Sequence, residues 1–166
     1  ALLKHAKHLT TQAKADELYY IHDEIGFNYR MTNVQAALGV AQMEQLDGFI
    51  ETKWRNAAHY REGIASIPGL RLLETREGTR SNRWFYALYL ENESPLSRDA
   101  LIRHLGEEQI QARPIWGLIC DQKPYANDTR YKIETARNYY ERVVNLPCST
   151  SLTAEDVDRV LDCLRG

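Results

Sequence analysis

Apolar residues recur at helical spacing from Val34 through Ala37, Leu38, Ala41, Leu46, Phe49, Ile50, Trp54, Ala57, Tyr60 and Ile64 to Ile67. This periodicity predicts one long amphipathic helix over about residues 32–66. Thr32 is a good N-cap, and Gln35 stands three residues on, where a capping box wants Glu or Gln. Pro68-Gly69 is a strong stop. Gln42, Gln45, Lys53, Asn56 and Arg61 fall on the other side and read as a solvent or partner face. Gly39 and Gly48 lie inside the helix, each at a propensity cost of about 1 kcal/mol. Close approach of another chain segment would account for Gly39.

Before that helix, residues 1 to about 14 pattern as a short basic helix with Leu2, Leu3, Ala6 and Leu9 as its apolar side, and Lys14 to Tyr20 read as a loop. After it the period shortens. Leu70-Arg71-Leu72-Leu73 is a short strand, and Trp84 to Leu90 is an aromatic-rich strand expected to be central. Glu77 to Asn82 is the loop between them. Ser97 caps a helix running to about Leu105 that turns Ala100, Leu101, His104 and Leu105 inward. Ile110 to Trp116 is a third strand, confined by Pro114 to an edge or a strand end. Gly117 to Tyr131 is a long loop with turn residues at Pro124 to Asp128. Ile133 to about Val143 is a helix closed by Leu146-Pro147. Thr153 caps the last helix, with Asp156 at the capping-box position and Val157, Val160, Leu161 and Leu164 as its stripe. The sum is an α/β (α+β) arrangement: a long N-terminal helix, then helices packed on a three-stranded, mainly antiparallel sheet.

At 166 residues the chain can bury one ordinary core. Lys and Arg number 21 against 23 Asp and Glu, for a net charge of −2. That balance leaves no basic stripe and argues against nucleic acid or an acidic membrane as partner. Ten Tyr and three Trp suit an interface or a sugar-binding wall as well as a core. Cys120, Cys148 and Cys163 have no CxxC spacing, and reduced thiols in a cytoplasmic protein are the simple reading. No apolar run is long enough to span a bilayer. Ala1-Leu2-Leu3-Lys4 opens in mid-helix pattern, so a piece of a longer protein is expected.

Candidate chemistry is sparse. His5 and His8 lie on adjacent turns of one helix face and are spaced to share a metal. No third ligand stands near them in sequence, so a solvated face is expected. His22-Asp23-Glu24 pairs imidazole with carboxylate, but three adjacent residues do not all converge on one ion without unusual backbone. His104 is expected as a half-buried packing residue. The stretch from His22 to Arg30 runs into the N-terminus of the long helix, where unpaired backbone N–H groups and the positive end of the macrodipole favour an anion. On physics alone, this is either an anion site or the ordinary polar lead-in to a capped helix.

The stretch Gly26-Phe27-Asn28-Tyr29-Arg30-Met31-Thr32-Asn33-Val34-Gln35-Ala36-Ala37-Leu38-Gly39, followed by Gln42, Glu44, Gln45 and Leu46, resembles a specific signature of the DegT/DnrJ/EryC1/StrS family of pyridoxal-phosphate-dependent sugar aminotransferases. Ala6 to Lys14, Ala112 to Trp116, Asn145-Leu146-Pro147 and Leu152 to Val157 resemble further, weaker family stretches. The resemblance implies a fold type I enzyme. Residues 1–31 would be the end of a large-domain helix and an active-site loop; residues 32–166 would be the linking helix and the small C-terminal domain.

In this family a Lys forms the Schiff base with pyridoxal 5'-phosphate, and an Asp contacts the pyridine nitrogen. Both belong to the large domain, and nothing around Lys4, Lys7 or Lys14 resembles the lysine's motif. No catalytic residue is therefore assigned here, and the chain alone is expected to lack transaminase activity. The resemblance makes Asn28 a ligand of the cofactor phosphate across a homodimer interface, and Arg30 a contact to the diphosphate of a nucleotide-linked keto sugar. The plainer readings are a turn role for Asn28 and a surface salt bridge for Arg30. Arg113 and Trp116 would line the sugar pocket or simply pack a strand end; Asn82, Arg83 and Trp84 have a weaker claim. The wording from Thr10-Thr11-Gln12-Ala13-Lys14 through His22-Asp23-Glu24-Ile25-Gly26 most resembles members that aminate the 4-keto carbon of UDP- or GDP-linked sugars, with an amino acid, often Glu, as donor. A sugar dehydratase of the same family, using the pyridoxamine form of the cofactor, remains open, as does a non-catalytic binding module. The module predicts a closed apolar surface, and the fragment predicts exposed apolar patches.

Overall fold

The computed structural model describes residues 1–16 and 18–166. They form two compact units, Ala1–Leu46 and Asp47–Gly166.

The first unit begins with α1 (Leu2–Thr10) and a small antiparallel hairpin of β1 (Lys14–Asp16) and β2 (Ile21–His22). The basic helix is shorter than its pattern suggested. The expected loop at Lys14 instead enters a strand, which pairs Lys14 with His22 and Asp16 with Ile21. The carboxylate of Asp16 accepts hydrogen bonds from the N–H groups of Leu18 and Tyr19, both at 2.8 Å, and so turns the chain back. The unit closes with the first half of α2 (Asn33–Ile64). Thr32 and Gln35 form the predicted cap: Gln35 Oε1 accepts from Thr32 N at 2.9 Å, and Thr32 Oγ1 accepts from Gln35 N at 3.3 Å. On this half Val34, Leu38, Val40 and Met43 are all exposed. Nothing lies within 4 Å of a Cβ built at Gly39 or Gly48, so among the described residues no segment approaches Gly39 closely.

In the second unit the sheet has four strands rather than three, in the order β3 (Leu70–Leu72), β4 (Tyr86–Leu90), β6 (Val143–Leu146) and β5 (Arg113–Pro114), and every pairing is antiparallel. The additional strand is β6. Val143-Val144-Asn145-Leu146 follows α4 (Glu134–Arg142) without a turn, so its apolar run reads from sequence as the closing of the helix. Its four residues are all buried between β4 and β5, the position of a strand covered on both faces. β4 is central, as its aromatic content predicts, and β5 is an edge strand of only two residues, as Pro114 requires.

α2 contributes Ala57, Tyr60 and Ile64 to the core. α3 (Arg98–Glu107) adds Leu101 and Leu105, and α5 (Ala154–Arg165) adds Val157, Val160, Leu161 and Leu164. The caps of α3 and α5 are those the spacing predicted: Ser97 accepts from Ala100 N, and Thr153 with Asp156 makes a complete capping box. His104 is half-buried and lies 3.2 Å from the Cys163 carbonyl. Tyr60 and Tyr86 pack ring to ring at 5.1 Å in the middle of the core. Their hydroxyls donate to the carbonyls of Pro147 and Lys53. Burial raises both phenol pKa values, that of Tyr86 to about 12. The polar side of α2 departs from expectation here. Asn56 is buried and donates to the Leu152 carbonyl at 3.3 Å, and Lys53 is drawn inward. Helical spacing fixes which face a residue lies on, but not that β6 and the segment after it would supply carbonyls opposite that face.

Candidate functional site

Two candidate regions stand out, one in each unit. In the first, residues 27–29 run as an extended strip along the end of α1. Phe27 N donates to Leu9 O at 2.8 Å, Gln12 N to Phe27 O at 3.1 Å and Tyr29 N to Thr10 O at 3.1 Å. Thr11 and Asn28 face each other as an antiparallel bridge. Gly26 makes this approach possible, since a Cβ there would stand 2.4 Å from Ala13 N and 2.5 Å from Gln12 C. With its backbone in an extended pairing, Asn28 is not among the left-handed residues of the chain.

Asn28, Tyr29, Arg30, Met31, Thr32 and Gln35 line an open depression of about 490 Å³ at the start of α2. Asn28 and Arg30 are exposed, and among the described residues Arg30 is in no ion pair. The capping box uses the N–H groups of Thr32 and Gln35, while those of Asn33 and Val34 have no intrahelical acceptor, as in any first turn. An amide, a guanidinium and a helix N-terminus are a donor set suited to phosphate oxygens. The residues therefore fit the phosphate of a cofactor such as pyridoxal 5'-phosphate.

The second region is a cleft of about 350 Å³ where β4, β5 and β6 end, lined by Phe85, Gln111, Arg113, Asn145, Leu146, Pro147, Cys148 and Ser149. Trp84, Phe85 and Trp116 form an aromatic cluster beside it: the Phe85 and Trp116 rings meet edge-on at 5.3 Å, and the Trp84 and Phe85 rings tilt at 4.6 Å. Trp84 and Trp116 stay largely exposed. An aromatic wall beside guanidinium and amide groups is an arrangement that holds a polar ring such as a sugar. Arg113 and Trp116 thus come together with Phe85. Asn82 instead accepts from Trp84 N at 3.1 Å, and Arg83 turns inward, where its guanidinium lies over the Trp54 ring and reaches Glu74 at 3.4 Å.

Lys53, Phe85, Asn145 and Cys148 join this region unannounced by sequence. The ammonium of Lys53 donates to the carbonyl of Trp84 at 3.0 Å and to that of Cys148, and partial burial lowers its pKa. Only the tertiary fold brings residues 53, 84 and 148 to one place. The three cysteines are free thiols. No helix among the described residues is long and apolar enough to cross a membrane.

The model of the DegT/DnrJ/EryC1/StrS aminotransferase family matches residues 1–165. The chain is 31% identical over 168 residues to EpsN of Bacillus subtilis, covering 99% of this chain and 43% of that protein. It is 32% identical over 150 residues to the GDP-perosamine synthase of Vibrio cholerae, covering 89% of this chain and 40% of that one. The crystal structure of the aminotransferase TlmJ from Streptoalloteichus hindustanus superposes with a TM-score of 0.82 at 22% identity, over 99% of this chain and 44% of that chain. The chain spans about two fifths of the length of the curated relatives it matches. The likeness runs from the helix before the Gly26–Arg30 strip to the closing capped helix, and the chain belongs to the DegT/DnrJ/EryC1/StrS aminotransferase family.

Proposed function

We propose that this chain is the C-terminal part of a cytoplasmic pyridoxal-phosphate-dependent aminotransferase that aminates a keto group of a nucleotide-linked sugar, with an amino acid such as glutamate as donor. The observation that carries the reading is the Gly26–Arg30 strip. Backbone hydrogen bonds hold it rigid against α1, and it presents Asn28 and Arg30, exposed, beside a helix N-terminus. Family membership and the GDP-perosamine synthase relative support the class of substrate.

In this reading the Asn28 amide donates to the phosphate of the cofactor bound by a second subunit of a homodimer. Arg30 offers its guanidinium fork to the diphosphate of the sugar nucleotide. The cofactor, when bound, supplies the electron sink for amino transfer; the residues described here bind and orient. Arg113 and Trp116 form one wall for the sugar ring. Val34, Leu38, Val40 and Met43, exposed at several angles around the first half of α2, are apolar surface that further chain in the assembled enzyme would cover.

The test is made in the complete enzyme. Asn28→Ala weakens pyridoxal 5'-phosphate affinity, read from the cofactor's absorbance on dialysis, by about tenfold, as expected for losing one hydrogen bond to a charged group. Arg30→Ala raises KM for the sugar nucleotide and leaves cofactor retention unchanged. Unaltered cofactor affinity in Asn28→Ala removes the assignment.

A further inference from the structure

The hairpin β1–β2 folds back on α1 and gathers side chains that stand far apart in sequence. His8 Nε2 lies 2.6 Å from Asp23 Oδ1 and 3.7 Å from Glu24 Oε1, and His5 Nδ1 lies 3.7 Å from the same Glu24 oxygen. The ligand atoms of His8, Asp23 and Glu24 all fall within 4.8 Å of one another. This corrects the expectation of a plain solvated face at His8, which is half-buried against Asp23, while His5 stays exposed. It also agrees with the point that His22, Asp23 and Glu24 do not converge together, since His22 turns away to the Gln12 carbonyl at 2.6 Å.

We propose that His8, Asp23 and Glu24, with His5 as the fourth group, bind a divalent transition-metal ion of the zinc type, clipping the end of α1 to the segment that leads into Gly26–Arg30.

Four observations carry this. First, the spacing is close to what an ion needs: tetrahedral zinc with ligands at about 2.0–2.1 Å separates neighbouring ligand atoms by about 3.3 Å. The His8–Asp23 and His8–Glu24 separations of 2.6 and 3.7 Å bracket that value, and the three ligand atoms lie within 4.8 Å of one another, so shifts of about 1.5 Å or less at their tips bring these three to coordination spacing, while His5, outside that set, turns further to complete the shell. The ion replaces the proton that His8 and Asp23 now share. Second, two imidazoles with two carboxylates suit zinc and its neighbours, whereas calcium and magnesium want six or more oxygens. Third, the groups line a shallow open depression that an ion enters without unfolding anything, with Lys4 on its rim. Fourth, His8 sits in the last turn of α1, where the negative end of the helix dipole favours a cation.

The experiment titrates zinc chloride into the purified, metal-stripped protein by calorimetry, with cobalt(II) absorption as a second readout. Wild type is expected to take up one equivalent with a tetrahedral cobalt spectrum. His8→Gln and Asp23→Asn each weaken that equivalent by more than about tenfold, as loss of a ligand must exceed loss of an outer partner. His59→Ala, which breaks the comparable two-group pair of His59 with Asp158 at 2.7 Å, leaves it unchanged. Asp23→Asn preserves shape, so the result does not hang on whether His8→Gln folds; circular dichroism verifies both. Absence of a one-equivalent site overturns the proposal, as does a site indifferent to both substitutions or an octahedral cobalt spectrum.

Discussion

Gly48 and Gly63 lie in the same helix, and the same substitution at each should change stability in opposite directions. A Cβ at Gly48 meets nothing within 4 Å, so Gly48→Ala gains only helix propensity, about 1 kcal/mol. At Gly63 the new methyl would stand 2.3 Å from Leu161 Cδ1, 2.6 Å from Cδ2 and 3.0 Å from Cγ. Leu161 is 1% exposed, wedged between α5 and the core, and has no free direction in which to turn. Overpacking of that kind costs about 1–3 kcal/mol. Gly63 also lies inside α2, so the same propensity gain of about 1 kcal/mol offsets part of that cost. Gly63→Ala is therefore expected to lose up to about 2 kcal/mol net, and the two variants to differ by about 1–3 kcal/mol. At roughly 2–4 °C per kcal/mol for a chain of this size, the separation in Tm is about 2–12 °C, well within thermal circular dichroism. Urea titration at constant slope supplies the free energy directly. Equal stabilisation by both substitutions would refute the packing of α5 on α2 described above.

The other expectations are smaller in scale. Thr153→Ala removes one side of the capping box of α5 and should cost about 1 kcal/mol by urea denaturation, with Thr153→Ser close to wild type. Asn56→Ala withdraws the donor to the half-buried Leu152 carbonyl and should cost about 1–2 kcal/mol by the same measurement. Glu74 is held below its ordinary value of 4.5, first by its hydrogen bond from Arg61, and Asp156 below 3.8, first by the Thr153 backbone. A depressed carboxyl contributes stability that is present above its unfolded value and lost as pH falls through its folded value. Stability should therefore decline below about pH 4.5, and Glu74→Gln should flatten that decline while lowering stability at pH 7. A profile unchanged in Glu74→Gln would show that this pair carries none of the acid response.

What the sequence disclosed was local. Both capping boxes, Thr32 with Gln35 and Thr153 with Asp156, follow from residues three apart, and the structure has both. The central aromatic strand and the proline-limited edge were legible because alternation and a missing N–H act within one strand. β6 was not, since Val143 to Leu146 follows Arg142 directly, with no turn residue to separate the strand from the helix. The hairpin at Lys14 was hidden because its second strand is only two residues long. The meeting of His8 with Asp23 and of Lys53 with Cys148 depends on pairings across 15 and 95 positions, which no periodicity reports. The Asn28 region was marked by its family wording, whereas Phe85 and Asn145 entered the cleft only through the sheet.

Lys53 carries a consequence for that cleft. The last paired residues of β4 and β6 are Tyr86 and Leu146, so beyond them the two chains have no ladder to hold them together. One ammonium, delivered sideways from a helix, catches the loose carbonyls of Trp84 and Cys148 and stands in for the missing rungs. The gap between the aromatic wall and the Cys148 side is thus gauged by a single removable charge. Acylating that amine or replacing it with a neutral chain would let the mouth gape while the core beneath stays shut.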